Sequence, residues 1–427
     1  MLIPQASYSE MKSLIDANSF FVTAELLRNP YLRFQPCVVR SNGDGCIIAA
    51  NKIAKALPDF KMWMPVFMQK ELLELHNVIQ FSPNFELYVD LSRRMMDIID
   101  EFLRRLMKYS IDECFGYVPI GVDYRLWAMQ LYEILLKELG IRTGVGVAPT
   151  LTLCKVANHI AKKFPVLNGC YVIDNEEKRI KALKWLLIAD VWGIGMQLAM
   201  KLNEIKVYTA YDFTQIPDAW VQKHMGVVGL RMKFELLGVS CLQLKDLDKE
   251  KKEIGTAKQF GQDLDDFDTI REVTANYTIY VAQKLRNQYS LAKTINIFLA
   301  TNPHSNRPQH NAGIDIRLPY PCSATGTLLK YATKGLEKVF KSGYKFRRVG
   351  VSLRNLVPDK GTQGNLFVPI NEKLITSQKA VDFINFKYGI DKVTNATAGF
   401  NKNEWETRFD NRSPRFTTRL EEIETMR

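Results

Sequence analysis

KYSIDECFGYV, residues 108–118, sets two carboxylates, Asp112 and Glu113, inside a run otherwise composed for β-structure. Neighbours on a regular strand point to opposite faces, so the two side chains converge only if "IDE" forms the tip of a twisted hairpin. Upstream, "SLIDANSFF" (13–21) is an apolar approach to Asp16 followed by aromatic residues, which predicts a buried strand ending near a third acid. Three carboxylates at strand ends can share a small volume. Hard divalent ions such as Mg2+ take oxygen ligands and keep the remaining positions for water and substrate phosphates. Two such ions about 3.5 to 4 Å apart can activate a hydroxyl and stabilise a leaving pyrophosphate. Spacing alone also allows a solvated acidic turn.

Around this centre the chain alternates strands with helices. "CVVRSNGDGCIIAANKIAKAL" (37–57) places Asn-Gly and Asp-Gly between two β-branched runs, which predicts a hairpin leading into a helix. In 82–106, Leu91, Met95, Ile98, Ile99, Phe102 and Leu106 recur at helical spacing, with charged residues on the other face. A second helix, 123–140, leads to the apolar strand "TGVGVA" (143–148), and the alternation indicates an α/β palm-like core. Residues 188–240 read as helical, with a Gly-x-Gly turn inside "ADVWGIGMQLAMKLNEI" (189–205). The charged "KDLDKEKKE" (245–253) reads as a solvated linker. Beyond it the order strand, helix, strand, strand, helix, strand is a split βαβ pattern. The tail after about residue 356 reads as polar and irregular.

The formal net charge is +12 and the pI about 9.2, a surplus that favours a polyanionic partner. Seven scattered cysteines, none in a C-x-x-C pair, read as reduced thiols. The opening "MLIPQASYSEMKS" lacks the basic start and long apolar stretch of a signal peptide, and no apolar run approaches the ~20 residues that span a bilayer. A cytoplasmic protein with no membrane partner is expected.

Taken in order, "D-x-N-x-F-F" from Asp16, "SIDE" at a strand tip, "VGVAPTLTLCKVANHIAKK" (145–163) and "DVWGIG" (190–195) resemble the Y-family DNA polymerases. "SNGDGCIIAANKIAKAL", "FSPNFELYVDLSRRMM", "YSIDECF" and "HIAKKFP" bring the resemblance closest to the UmuC branch, the catalytic subunits of bacterial DNA polymerase V. It runs from about residue 14 to "SPRFTTR" (413–419).

The resemblance implies an α+β multidomain fold, a right-hand polymerase. Its palm would occupy 11–33 and 81–170, with fingers at 34–80 and a helical thumb with a helix-hairpin-helix at 171–240. A linker at 241–254, a split βαβ little finger at 255–355 and a partner-binding tail at 356–427 would follow. The implied activity is error-prone translesion synthesis in SOS-type damage tolerance and mutagenesis. Asp16, Asp112 and Glu113 would be catalytic and would hold two Mg2+ ions with the backbone carbonyl of Ala17. Phe20, Phe21, Asn51, Lys52, Lys55 and Lys162 would meet the incoming deoxynucleoside triphosphate, Phe21 as the steric gate against a ribose 2′-hydroxyl. Ile47 and Ile48 would roof the templating base. Gly193 and Gly195 would present backbone N–H groups to a DNA phosphate. Arg271, Lys284, Arg286, Arg347 and Arg348 would grip primer-template DNA from the little finger. "QGNLF", with Gln363, Leu366 and Phe367, resembles a sliding-clamp motif; a processed UmuD dimer and a RecA filament are the other implied partners.

Read without the resemblance, Phe21 is a core aromatic, the lysines are surface residues, and Ile47 and Ile48 are plain strand residues. Three departures from the family pattern stand out: ten residues before Met11, a second candidate start; Pro58 and Trp63 where the family has glycines; and Tyr117 in place of an acid. Gly364 also stands where the clamp motif usually has leucine. The competing readings are a catalytically weak or inactive polymerase-like DNA-binding protein that recruits partners, and a helix-hairpin-helix repair nuclease or glycosylase. The second leaves the palm motifs unexplained.

Overall fold

Strand β1 (Lys12–Ala17) ends in the helix α1 (Phe20–Leu26), and the turn between them is made by Ser19 in the left-handed region, φ 47°. The computed structural model containing them describes residues 8, 10–246, 250–360, 372–389, 392–399, 405 and 409–423. These fall into two units, 1–249 with 410–427, and 250–409.

In the first unit a small sheet of order β3-β2-β4 joins β2 (Cys37–Arg40), β3 (Ile47–Ala50) and β4 (Ile79–Phe81). The helices α2 (Lys52–Lys55) and α3 (Lys70–Leu75) belong to the same segment. Their core is Val38, Ile47, Ala50, Ala54, Leu73 and Val78. Next come α4 (Phe85–Phe102), β5 (Arg105–Lys108), β6 (Glu113–Tyr117), α5 (Tyr124–Leu139), β7 (Thr143–Ala148), α6 (Leu151–Lys163) and β8 (Cys170–Val172). They build a five-stranded sheet of order β5-β6-β1-β7-β8, antiparallel except for β7 and β8.

Period-two alternation decides what each face meets. Ile15, Ala17, Cys114, Val145 and Val147 pack with α4 and α5, whereas Leu14, Phe115 and Ala148 pack with α6. Two glycines of β7 let α6 lie close. A Cβ at Gly146 would sit 2.4 Å from the backbone nitrogen of Asn158, and one at Gly144 would sit 2.7 Å from Lys162 Cε. Asn158, 3% exposed, donates from Nδ2 to the carbonyls of Gly144 (2.7 Å) and Leu14 (3.3 Å), fastening helix to sheet. Gly146→Ala is therefore expected to cost about 1 to 3 kcal/mol, because backbone rather than a mobile side-chain end must yield. Equilibrium urea unfolding measures it.

The helices α7 (Glu176–Trp185), α8 (Met196–Glu204), α9 (Ala210–Gln215) and α10 (Asp218–Leu236) follow. Buried Glu235 accepts from the backbone N–H of Thr152 (3.0 Å), Cys241 (2.7 Å) and Leu242 (2.9 Å). Leu244 is buried in the same core. The expected linker at 241–254 is thus corrected at its start, since 241, 242 and 244 are tied to the first unit.

The second unit contains β9 (Ile254–Leu264), α11 (Phe267–Asn287), β10 (Ser290–Thr301), β11 (Asn311–Cys322), α12 (Thr325–Val339) and β12 (Phe346–Pro358). The antiparallel order β11-β10-β12-β9 inserts β12 between β9 and β10, and β10 between β11 and β12. Both βαβ units are split, as the element order predicts. The tail departs from expectation, because it contains the helix α13 (Glu372–Tyr388). Asp382 of that helix takes a forked pair from Arg286, at 2.5 and 2.8 Å. Arg286 also donates to the Ser323 carbonyl, so this expected DNA contact is an internal anchor instead.

All seven cysteines are free thiols, and burial pushes Cys37 up to about 11 and Cys170 up to about 12. No described helix is long and apolar enough to cross a membrane.

Candidate active site

In the antiparallel pairing of β1 with β6, Asp16 lies opposite Glu113 and Leu14 opposite Phe115. Directly opposed residues share a face, so both carboxylates project toward α6. β5 and β6 form a hairpin whose tip contains Asp112, the geometry required for the pair to converge. The Ala17 N–H donates to the Asp112 carbonyl (2.9 Å) and pins the tip to the end of β1. Ser110 Oγ donates to Asp112 Oδ1 (2.6 Å).

Two lysines seven residues apart on one face of α6 answer the acids. Lys162 pairs with Asp16, and Lys155 with Glu113. Gly144, opposite Asp16 in the β1–β7 register, leaves the space across which Lys162 lies. Lys155 also sits 4.8 Å from the ring centre of Tyr109, with Phe115 and Trp192 within cation–π reach. Sequence reading missed Lys155. Its seven-residue spacing from Lys162 was the available signal, but the aromatic box is assembled from two separate segments, the β5–β6 hairpin and Trp192.

Burial is the first cause raising the Asp16 carboxyl above its usual range; Lys162 opposes it and Asp112 adds to it. Glu113 is raised likewise, first by burial, against Lys155 and with Asp16 and Asp112 adding repulsion. Among the described residues no three His, Cys, Asp or Glu side chains close into a metal cage. The donor chemistry nevertheless fits a hard divalent cation. Two partly desolvated carboxylates, Asp16 and Glu113, repelled by each other and by Asp112 beside a strand-end carbonyl, require positive charge, which the two ammonium groups supply here.

The remaining expected residues divide. Lys55 Nζ donates to Ser19 Oγ (3.1 Å), and its pKa is lowered by burial and then by Lys162, so two cations flank the Asp16 end of β1. Lys52 is exposed. Asn51 is spent on the scaffold. It caps α2 through Ala54 N–H (2.9 Å), accepts from Cys37 N–H (3.2 Å) and donates to the Gln35 carbonyl (2.6 Å). These bonds use both acceptor positions of the Asn51 oxygen and leave one N–H of its amide. The ring of Phe20 is 2% exposed and belongs to the core, correcting its expected contact. Phe21 is half-buried and stacks on Tyr88, centroids 4.8 Å apart, with Phe85 edge-on at 6.1 Å. Ile47 is fully buried in the small sheet's core, so its side chain roofs nothing; Ile48, on the opposite face, is partly buried.

Gly193 has φ +93°, a region other residues rarely adopt, and Gly195 precedes α8 with open space where a Cβ would stand. The first N–H groups of α8 have no partners within the helix. In the second unit Lys284 and Arg348 are exposed, Arg271 pairs with Asp268 and Arg347 with Asp263. Gln363, Leu366 and Phe367 lie outside the described residues.

Three family models match: the impB/mucB/samB family over residues 15–159, the impB/mucB/samB family C-terminal domain over 251–366, and a domain of unknown function over 378–425. The Salmonella typhimurium protein UmuC is 32% identical over 97% of this chain and 99% of its own length. DNA polymerase IV of Moorella thermoacetica is 27% identical over 88% of this chain and 93% of its own. A solved Y-family DNA polymerase chimera, Dbh-Dpo4(243-245)-Dbh, shares the fold at a TM-score of 0.66 and 21% identity, covering 82% of this chain and 99% of that one. A right-hand α+β architecture, a matching family model across the acidic sheet and a relative similar over nearly its whole length converge: the chain belongs to the impB/mucB/samB family, the UmuC-like Y-family DNA polymerases.

Proposed function

We propose that the site at Asp16, Asp112 and Glu113 carries out template-directed nucleotidyl transfer by a two-Mg2+ mechanism, for error-prone synthesis across damaged DNA in SOS-type mutagenesis. The carrying observation is the Asp16–Glu113 register with Asp112 at the adjoining hairpin tip. The primer 3′-oxygen bonds to the α-phosphorus of a deoxynucleoside triphosphate while the bond to pyrophosphate breaks. Bound Mg2+ would lower the charge on both oxygens and on the phosphates. Asp16, Asp112, Glu113 and the Ala17 carbonyl would hold it, displacing Lys155 and Lys162 from the carboxylates. Lys162 and Lys55 then face the triphosphate as point charges. Phe21 closes the sugar side, and Ile48, on the face opposite the small sheet's core, borders the templating base.

In this reading the five-stranded sheet is the palm, the small sheet the fingers, α7–α10 the thumb and the second unit's sheet the little finger. Gly193 and Gly195 would let backbone N–H groups approach a DNA phosphate. Likeness to UmuC supports a processed UmuD dimer and a RecA filament as partners, and "QGNLF" supports the sliding clamp. Primer extension with Mg2+ on undamaged and abasic templates, with and without these partners, is the test. Extension on both templates is expected. No extension under any condition overturns the polymerase reading, and arrest at every abasic site overturns the translesion role.

A further inference from the structure

The match to a domain of unknown function covers 378–425, yet its described parts divide between the two units: α13 lies in the second, and 410–423 return to the first. There they seat on the start of α4. Ser82 N–H donates to the Asn411 carbonyl (3.0 Å), and Asn411 N–H to Ser82 Oγ (3.1 Å). Asn84, 1% exposed, caps α4 through Leu87 N–H (3.3 Å) with its oxygen. Its nitrogen donates to the Ser413 carbonyl (3.0 Å), Ser413 Oγ (2.9 Å) and the Pro414 carbonyl (3.3 Å). Glu86 accepts from Arg415 (3.2 Å), Thr418 (3.1 Å) and Arg419 (3.3 Å), and Phe416 packs into the palm core.

The same helical turn carries Phe85 and Tyr88, the two rings against which Phe21 rests. Tyr88 is locked from behind, its hydroxyl donating to buried Glu25 at 2.5 Å. The first turn of α4 is thus held by the C-terminal segment on one side and supports Phe21 on the other.

We infer that residues 411–423 are a specificity-determining clasp, fixing the first turn of α4 so that Phe85 and Tyr88 back Phe21 against the sugar of the incoming nucleotide. This rests on the gate reading of Phe21. The clasp residues touch no substrate and act by positioning. Without it the ring stack loosens, and exclusion of the 2′-hydroxyl weakens while deoxynucleotide use persists.

Asn84→Asp in the full chain tests it. The carboxylate keeps the helix cap but turns a donor facing two carbonyls into an acceptor. Tryptic cleavage at Arg415 and Arg419 in the folded protein should accelerate. The ratio of ribonucleotide to deoxyribonucleotide incorporation should rise about tenfold, with deoxynucleotide kcat nearly unchanged. In a Phe21→Ala background the substitution should add nothing. If cleavage is unchanged, Glu86→Lys is added to set a cation against Arg415 and Arg419; a segment still protected then is not held by these contacts, and the proposal fails. Accelerated cleavage with an unaltered sugar ratio overturns the clasp, provided Phe21→Ala alone relaxes the ratio. An unaltered ratio in Phe21→Ala rejects the gate, and the clasp with it.

Discussion

Asp112→Ala is expected to lower single-turnover primer extension by three orders of magnitude or more, roughly the several kcal/mol that bound metal supplies to such a transition state. Primer-template affinity should stay close to that of the parent, because it rests on distributed contacts with phosphates and falls steeply with salt. The fold should not suffer. Asp112 raises both Asp16 and Glu113 by repulsion, on top of burial. A carboxylate raised in the folded state contributes stability below its unfolded pKa and loses it as pH rises through the folded value. At neutral pH the cluster is therefore a net cost in the absence of cations, and removing one charge relieves it. Asp112→Ala should melt no lower than the parent at pH 7 without divalent ions, even though the Ser110 bond is lost. Extension at the parental rate would reject Asp112 as a ligand, whereas a large fall in melting temperature would mark it as structural.

Phe21→Ala should admit ribonucleotides, with discrimination between the sugars falling on the order of 10²-fold. Phe20 is the control that the structure supplies. Its ring is buried, so Phe20→Ala should cost about 3 to 5 kcal/mol and slow both sugars alike. Phe21 is only half-buried, and its truncation should cost less stability than that of Phe20. Incorporation of each sugar, read beside the melting temperature of both variants, separates the roles. A destabilised Phe21→Ala protein with the parental sugar ratio would place Phe21 in the core and leave the gate without a residue.

Local sequence by itself determined the elements around the site and placed Asp16, Asp112 and Glu113 at strand ends. The apolar approach to Asp16, the hairpin chemistry of 37–57, the helical periodicity from residue 82 and the split βαβ order are all short-range signals, and the elements form near where they predict, except that α4 ends at Phe102 and Leu106, read on the helix, falls in β5. Tertiary structure decided what those signals leave open. Asn51 carries the residue type of a ligand, but two backbone N–H groups and a carbonyl on neighbouring segments already take three of the four hydrogen bonds its amide can make. Ile47 and Ile48 are alike in type and differ only in the face of β3 each occupies, so only the packed sheet separates a core residue from a candidate contact. Arg286 was drawn into an anchor by Asp382, 96 residues away in a segment whose weak periodicity concealed a helix. Lys155 and the clasp were invisible for the same reason: their partners come from distant parts of the chain, and the energy of a polar contact depends on which groups burial leaves beside it.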